Sequence, residues 1–164
     1  MTIKITILGA TGSIGKSTLD IVRQHPDHFK VVGLTANTNV VQFEKILKEF
    51  KPKKAVIANS KLLKELPLID GIEIISGESG LIEIAEDPDS DIVVAGIVGF
   101  AGLSSVMAAT NSGKRILLAN KESLVCAGNL VVENCLKSDA IVIPIDSEHN
   151  AIFQCLGGDY RCFQ

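Results

Sequence analysis

The sequence predicts an α/β fold, a doubly wound, mainly parallel sheet with helices on both faces. Three observations predict it. Short apolar, β-rich runs alternate with segments of helical spacing along the whole chain. The run Ile92 to Ala95 shows no polar alternation, as expected of a strand covered on both faces. A glycine-rich turn directly follows the first apolar run. Such alternation implies parallel strands joined by right-handed crossovers.

The elements follow in order. Lys4 to Leu8 reads as a first strand, followed by the glycine turn and a helix to about Gln24. Val31 to Leu34 is a second strand, after which Val40, Val41, Phe43, Ile46, Leu47 and Phe50 recur at helical spacing. Ala55 to Ala58 is a third strand, with a short helix from Ser60. Ile72 to Ile75 is a short strand and Glu78 to Glu86 a helix. After the strand Ile92 to Ala95, Gly102 to Ser112 is a helix that Gly113 closes. Ile116 to Leu118 is a strand, and a helix runs from about Ser123 to Leu136 with an irregularity near Gly128. Ile141 to Ile145 is the last strand, and Asn150 to Leu156 begins another helix. No internal repeat and no low-complexity linker is evident.

Composition removes several classes. The 164 residues suit one domain at about 150 residues each. The 16 Lys+Arg against 19 Asp+Glu give a net charge of −3, without the basic stripe of a nucleic-acid binder. The longest apolar stretch, Ile92 to Leu103, falls short of the roughly 18 residues of a membrane span. The N-terminus lacks the pattern of a signal peptide. Cys126, Cys135, Cys155 and Cys162 lie in the last quarter and form no C-x-x-C pair, so reduced thiols in a cytoplasmic protein are expected. Zinc-ligand spacing is missing.

The chemistry should gather at the carboxyl ends of the strands. In Gly9-Ala10-Thr11-Gly12-Ser13-Ile14-Gly15, Gly9 suits a tight turn and Gly12 a close backbone approach to phosphate. Gly15 suits packing of helix on sheet, and the helix start offers N–H groups to an anion. The G-x-x-G-x-x-G spacing matches an NADP-binding variant of the Rossmann-like turn. A P-loop reading competes, with Lys16 reaching phosphate and Ser17 holding Mg²⁺, but Ala10 stands where that pattern needs glycine. At the second strand end, Thr35-Ala36-Asn37-Thr38-Asn39 carries no carboxylate to repel a 2′-phosphate, which favours NADP. An ordinary Asn-rich turn accounts for it equally.

Two later segments carry further candidates. In Ala119-Asn120-Lys121-Glu122-Ser123, Asn120 suits a helix N-cap and Glu122 a first-turn charge, while Lys121 could donate to a developing oxyanion. In Ile145-Asp146-Ser147-Glu148-His149, an extended backbone would point Asp146 and Glu148 the same way, toward one Mg²⁺ or Mn²⁺. The plainer alternative is another helix N-terminus capped by Ser147 or Asp146. His149 is expected to be structural, and His25 and His28 to lie on the surface.

Together the glycine turn, Leu117-Leu118-Ala119-Asn120-Lys121-Glu122-Ser123-Leu124 and Pro144-Ile145-Asp146-Ser147-Glu148-His149-Asn150-Ala151-Ile152-Phe153-Gln154 resemble the 1-deoxy-D-xylulose 5-phosphate reductoisomerase family. The resemblance runs from about Met1 to Leu156. It implies an NADPH-dependent enzyme of non-mevalonate isoprenoid biosynthesis. Such an enzyme rearranges deoxyxylulose phosphate and reduces the product to methylerythritol phosphate. By resemblance, Thr11, Gly12, Ser13 and Ile14 follow the cofactor pyrophosphate, with Gly9 and Gly15 shaping the turn. Asn39 meets the adenosine end beside Asn37 and Thr38, and Asn120 and Glu122 meet NADPH. Lys121 and Ser147 bind the sugar-phosphate substrate, Asp146 and Glu148 hold Mg²⁺ or Mn²⁺, and Glu148 also meets substrate. Lys121, Asp146 and Glu148 form the catalytic set.

Family members commonly carry Gly where Asn37 stands and often a basic residue where Thr38 stands. Their chains are well over twice this length and are expected to be homodimeric. The sequence therefore reads as residues 1–145, an NADP-binding Rossmann-like domain, and residues 146–164, the start of a truncated catalytic domain. Such an N-terminal piece is expected to be inactive alone. Two alternatives remain beside the P-loop. One is a non-catalytic NADP-binding or sensing module. The other, a short-chain reductase, needs Y-x-x-x-K, whereas Tyr160 is followed by Gln164.

Overall fold

A computed structural model describes residues 2–156. Tyr160, Arg161, Cys162, Phe163 and Gln164, on which some expectations drew, lie outside the described residues. Seven strands form one sheet: β1 (Ile3–Leu8), β2 (Phe29–Ala36), β3 (Lys54–Ile57), β4 (Glu73–Ser76), β5 (Ile92–Ala95), β6 (Arg115–Leu118) and β7 (Ile141–Pro144). The helices between them are α1 (Ser13–Gln24), α2 (Val40–Phe50), α3 (Gly77–Glu86), α4 (Leu103–Asn111) and α5 (Lys121–Ser138), and α6 (Ser147–Cys155) follows β7. Short 3₁₀ turns occupy Ser60–Glu65 and Phe100–Gly102.

The strand order is β4-β3-β2-β1-β5-β6-β7, and every neighbouring pair is parallel. The chain winds outward from β1, returns to the centre with β5, and winds outward the other way. The order reverses between β1 and β5, where Ile5 to Leu8 pair with Ile92 to Ala95. That reversal opens a crevice at the carboxyl ends of the two strands.

Strand alternation separates two cores. Ile5, Ile7, Leu34, Ala55, Ile57 and Val94 face α1 and α2, which contribute Leu19, Val22, Phe43, Ile46 and Leu47. Leu8, Val56, Val93, Ala95, Ile116 and Leu118 face the opposite layer, where α3, α4 and α5 contribute Leu81, Ile84, Val106, Ala109 and Val131. Phe43 and Leu47 are fully buried, each worth about 1.5–3 kcal/mol in apolar transfer.

The expected strands all form, with ends shifted by a few residues. Gly113 takes φ 67° just past α4, the left-handed stop expected of it. α5 starts two residues before Ser123 because Asn120 caps it, accepting the Ser123 N–H at 3.1 Å. Its irregularity falls on Ala127, at φ −140° and ψ 24°, next to Gly128. At the amino ends of the strands, on the far side from the crevice, Asp89 receives the ammonium groups of Lys4 and Lys53. These bonds hold its carboxyl at about 2, against an ordinary 3.8. Among the described residues, no helix is long and apolar enough to cross a membrane.

Candidate functional site

A cleft of about 500 Å³ occupies the crevice. Its floor is the first glycine turn. Gly9 adopts φ 86°, a left-handed conformation, and a Cβ there would meet Gly96 O at 3.1 Å. Gly15 is buried, and its Cβ would stand 2.6 Å from Ala10 Cα, so only glycine lets α1 close onto the turn. Gly12 is the exposed N-cap of α1, and its Cβ would meet only Gly9 O at 3.3 Å. No side-chain hydrogen bond caps α1, which leaves its first N–H groups to the cleft. The tight turn expected at Gly9 and the helix packing expected at Gly15 therefore appear in the geometry.

Thr35, at the end of β2, braces this turn. Its Oγ1 accepts the Gly9 N–H at 2.8 Å, and its carbonyl accepts the Ala10 N–H at 2.8 Å. Sequence reading placed Thr35 in the second strand end without that role. β-Branched residues are common in strands, so nothing local marked it.

The second wall comes from a turn that sequence reading passed over. Gly96-Ile97-Val98-Gly99-Phe100-Ala101-Gly102 repeats the G-x-x-G-x-x-G spacing of the first turn, directly after the adjacent strand β5. The repeated spacing was the available signal. Gly96, Ile97, Val98 and Ala101 line the cleft. The Gly96 N–H donates to Leu8 O at 3.0 Å, and a Cβ at Gly96 would meet that oxygen at 3.0 Å. The two turns thus pack glycine against glycine where the sheet order reverses.

Of the sequence-predicted residues, Gly9, Thr11, Gly12, Ser13, Ile14, Asn37, Asn120, Glu122, Asp146 and Ser147 line one cleft. They come from four separate strand ends, β1, β2, β6 and β7, which is the convergence a doubly wound sheet provides. Gly15 sits behind the wall. Thr38, Asn39, Lys121 and Glu148 are exposed and outside the lining. Asn39 caps α2, its Oδ1 accepting the Gln42 N–H at 3.1 Å. Lys16 and Ser17 are also exposed and outside the lining, which removes the support for a P-loop.

At the β7 end, the structure forms the helix N-terminus, with Asp146 at the N-cap, in place of the extended run. Asp146 is extended, at φ −66° and ψ 137°, but Ser147 already begins α6, so Glu148 stands in the first helical turn. The two carboxylates are not on one extended run, because the Asn150 N–H closes the first helical bond onto Asp146 O at 2.8 Å. Asp146 takes the N-cap position without making a side-chain cap bond. Its Oδ1 is buried and, among the described residues, receives no hydrogen bond, with His149 Nδ1 at 3.5 Å. Interaction with Glu148, aided by the positive charge of Lys121, holds the Asp146 carboxyl below its ordinary value. An orphaned carboxylate oxygen beside a cleft fits a hard-cation ligand. Among the described residues, no group of three His, Cys, Asp or Glu converges to complete such a site.

The family described as 1-deoxy-D-xylulose 5-phosphate reductoisomerase matches residues 5–128. A protein of that name from Francisella tularensis subsp. novicida (strain U112) is 52% identical over 161 residues, covering 97% of this chain and 42% of its own. A solved structure described as 1-deoxy-D-xylulose 5-phosphate reductoisomerase from Zymomonas mobilis in complex with NADPH superposes with a TM-score of 0.90 at 42% identity, covering 94% of this chain and 41% of that one. Another, described as DOX-P reductoisomerase in complex with NADPH, fosmidomycin and magnesium, gives 0.88 at 49% identity, covering 93% and 38%. The chain therefore spans about 40% of the length of the relatives it matches.

Proposed function

Because this chain belongs to the 1-deoxy-D-xylulose 5-phosphate reductoisomerase family, we propose that it forms the NADPH-binding part of an enzyme that converts 1-deoxy-D-xylulose 5-phosphate to 2-C-methyl-D-erythritol 4-phosphate. The carrying observation is the convergence of the glycine turn, the α5 start and Asp146 on one cleft. Gly9, Thr11, Gly12, Ser13, Ile14 and Gly15 shape and supply the pyrophosphate cradle. Asn37, Thr38 and Asn39 flank the adenosine end, where no carboxylate opposes a 2′-phosphate. Asn120 and Glu122 border the cleft that takes NADPH.

Lys121 and Ser147 bind and orient the sugar phosphate. Asp146 and Glu148 hold the divalent cation, Mg²⁺ or Mn²⁺, and Glu148 also meets substrate. When bound, NADPH supplies the hydride and the cation supplies Lewis acidity. The orphaned Asp146 Oδ1 supports the assignment. Residues 1–145 then form the cofactor domain and residues 146–164 open a catalytic one. The same reading takes the whole enzyme as a homodimer. The free thiols of Cys126, Cys135 and Cys155 support a cytoplasmic setting.

Calorimetric titration of this chain with NADPH, NADH and ATP tests the reading. NADPH is expected to bind tightest, and a preference for ATP would defeat it. Mn²⁺ binding, followed by water-proton relaxation, should weaken in Asp146→Asn and in Glu148→Gln; wild-type binding in both would defeat the metal assignment. A non-catalytic NADP-binding module is the second reading. It predicts NADPH binding with no measurable Mn²⁺ site.

A further inference from the structure

Asn120 borders the cleft, but its carboxamide faces the protein. Its Nδ2 donates to Ile97 O at 2.7 Å and to Gly99 O at 2.8 Å. Its Oδ1 accepts the Ser123 N–H at 3.1 Å. Both amide protons and the oxygen are therefore engaged, and the residue is only 3% exposed. The two carbonyls belong to the second glycine turn, whose Ile97 and Val98 form a wall of the cleft. Gly99 there adopts φ 70°, and beyond the Asn120 contact the turn carries the Gly102 N–H to Gly99 O bond at 3.3 Å. Gly102 is matched to the same carboxamide: a Cβ there would stand 2.6 Å from Asn120 Nδ2.

We propose that Asn120 is a positioning residue, a clamp that ties the second glycine turn to the start of α5 and so fixes the cleft wall against which the dinucleotide lies. Its ligand rests on the NADPH reading above; the clamp itself does not. Carbonyl oxygens cannot donate, so the turn needs a donor pair at this point, and a carboxamide supplies both N–H groups from one rigid plane. An acid or hydroxyl in its place keeps the α5 cap but cannot hold both carbonyls. A wall held this way is preformed, which lowers the ordering cost of binding.

The design of the test uses that difference. Asn120→Asp preserves the cap acceptor for Ser123 and turns a second acceptor against Ile97 O and Gly99 O. Gly102→Ala leaves the Asn120 side chain unchanged and crowds both ends of that contact, with its Cβ 2.6 Å from Asn120 Nδ2 and 2.8 Å from Ile97 O. Both are read by amide hydrogen exchange across residues 97–102 in the ligand-free chain, and by NADPH titration.

We expect exchange in the turn to accelerate in both variants while α1 and β1 keep their protection. NADPH affinity should fall roughly tenfold. The double variant should be little worse than either single one, because both break one contact. Unchanged exchange in both variants overturns the proposal. So does a loss of NADPH affinity in Asn120→Asp with unchanged exchange, since that would make Asn120 a direct ligand contact. If the wild-type chain binds no NADPH, the cofactor reading fails, and the exchange comparison alone decides the clamp.

Discussion

Replacing Gly15 by alanine should damage both fold and ligand binding, whereas the same change three residues earlier should damage binding alone. The Gly15 Cβ would stand 2.6 Å from Ala10 Cα and 2.7 Å from Ala10 C. Carbon pairs rest at about 3.5–4.0 Å, so about 0.9 Å of overlap must be relieved, and the obstacle is backbone rather than a movable side chain. Overpacking of this kind costs about 1–3 kcal/mol, toward the upper end here. Alanine returns about 1 kcal/mol of helix propensity, which leaves a net loss of about 1–2 kcal/mol. For a domain of this size that lowers Tm by about 2–8 °C.

The relieving motion also lifts α1 from the turn, so NADPH affinity should fall roughly tenfold or more. Gly12 has φ −78° and open space around it, apart from Gly9 O at 3.3 Å. Gly12→Ala should therefore change stability by less than about 0.5 kcal/mol, while its methyl enters the cradle and weakens NADPH roughly tenfold. Thermal melts and calorimetric titrations of both variants separate the two effects. A Gly15→Ala protein as stable as wild type, with wild-type affinity, would falsify the packing argument.

Other outcomes follow from single contacts. Thr35→Val removes the acceptor of the Gly9 N–H, and leaving that donor unpaired should cost about 1–3 kcal/mol in urea denaturation. An unchanged urea midpoint would show that Thr35 does not brace the turn. Lys16→Ala should alter NADPH affinity by no more than about threefold, because Lys16 is exposed and outside the cleft lining. Loss of all nucleotide binding in that variant would revive the P-loop. Asp89 titrates at about 2 in the folded chain, below its ordinary 3.8, through its bonds to Lys4 and Lys53. Its stabilisation is therefore present in full above the ordinary value and is lost as pH falls through the folded one. Asp89→Asn should lower stability at neutral pH, with the gap to wild type closing as pH drops toward about 2. A gap independent of pH across urea melts would refute the pairing.

Much of this protein was legible in the chain itself. A strand spans a few residues and shows its burial through apolar runs, so all seven strands could be read locally. The first glycine turn and the Asn120 cap announced themselves because turns and caps are set by neighbours in sequence. The convergence of Gly9, Asn37, Asn120, Glu122 and Asp146 on one cleft also followed once parallel strands were assumed, since all stand at carboxyl ends.

The tertiary structure decided what depends on distant partners. The strand order placed β5 beside β1 and turned Gly96 to Gly102 into a second wall, although that segment repeats a spacing already noticed. It made Thr35 a brace, because the Gly9 N–H it accepts lies 26 positions away in the chain. It turned the Asn120 carboxamide toward Ile97 and Gly99, more than 20 residues back. Sequence determines which backbone conformations are cheap within a few residues. Which donor meets which acceptor across the sheet is fixed only when two cores close and every buried polar group must find its partner.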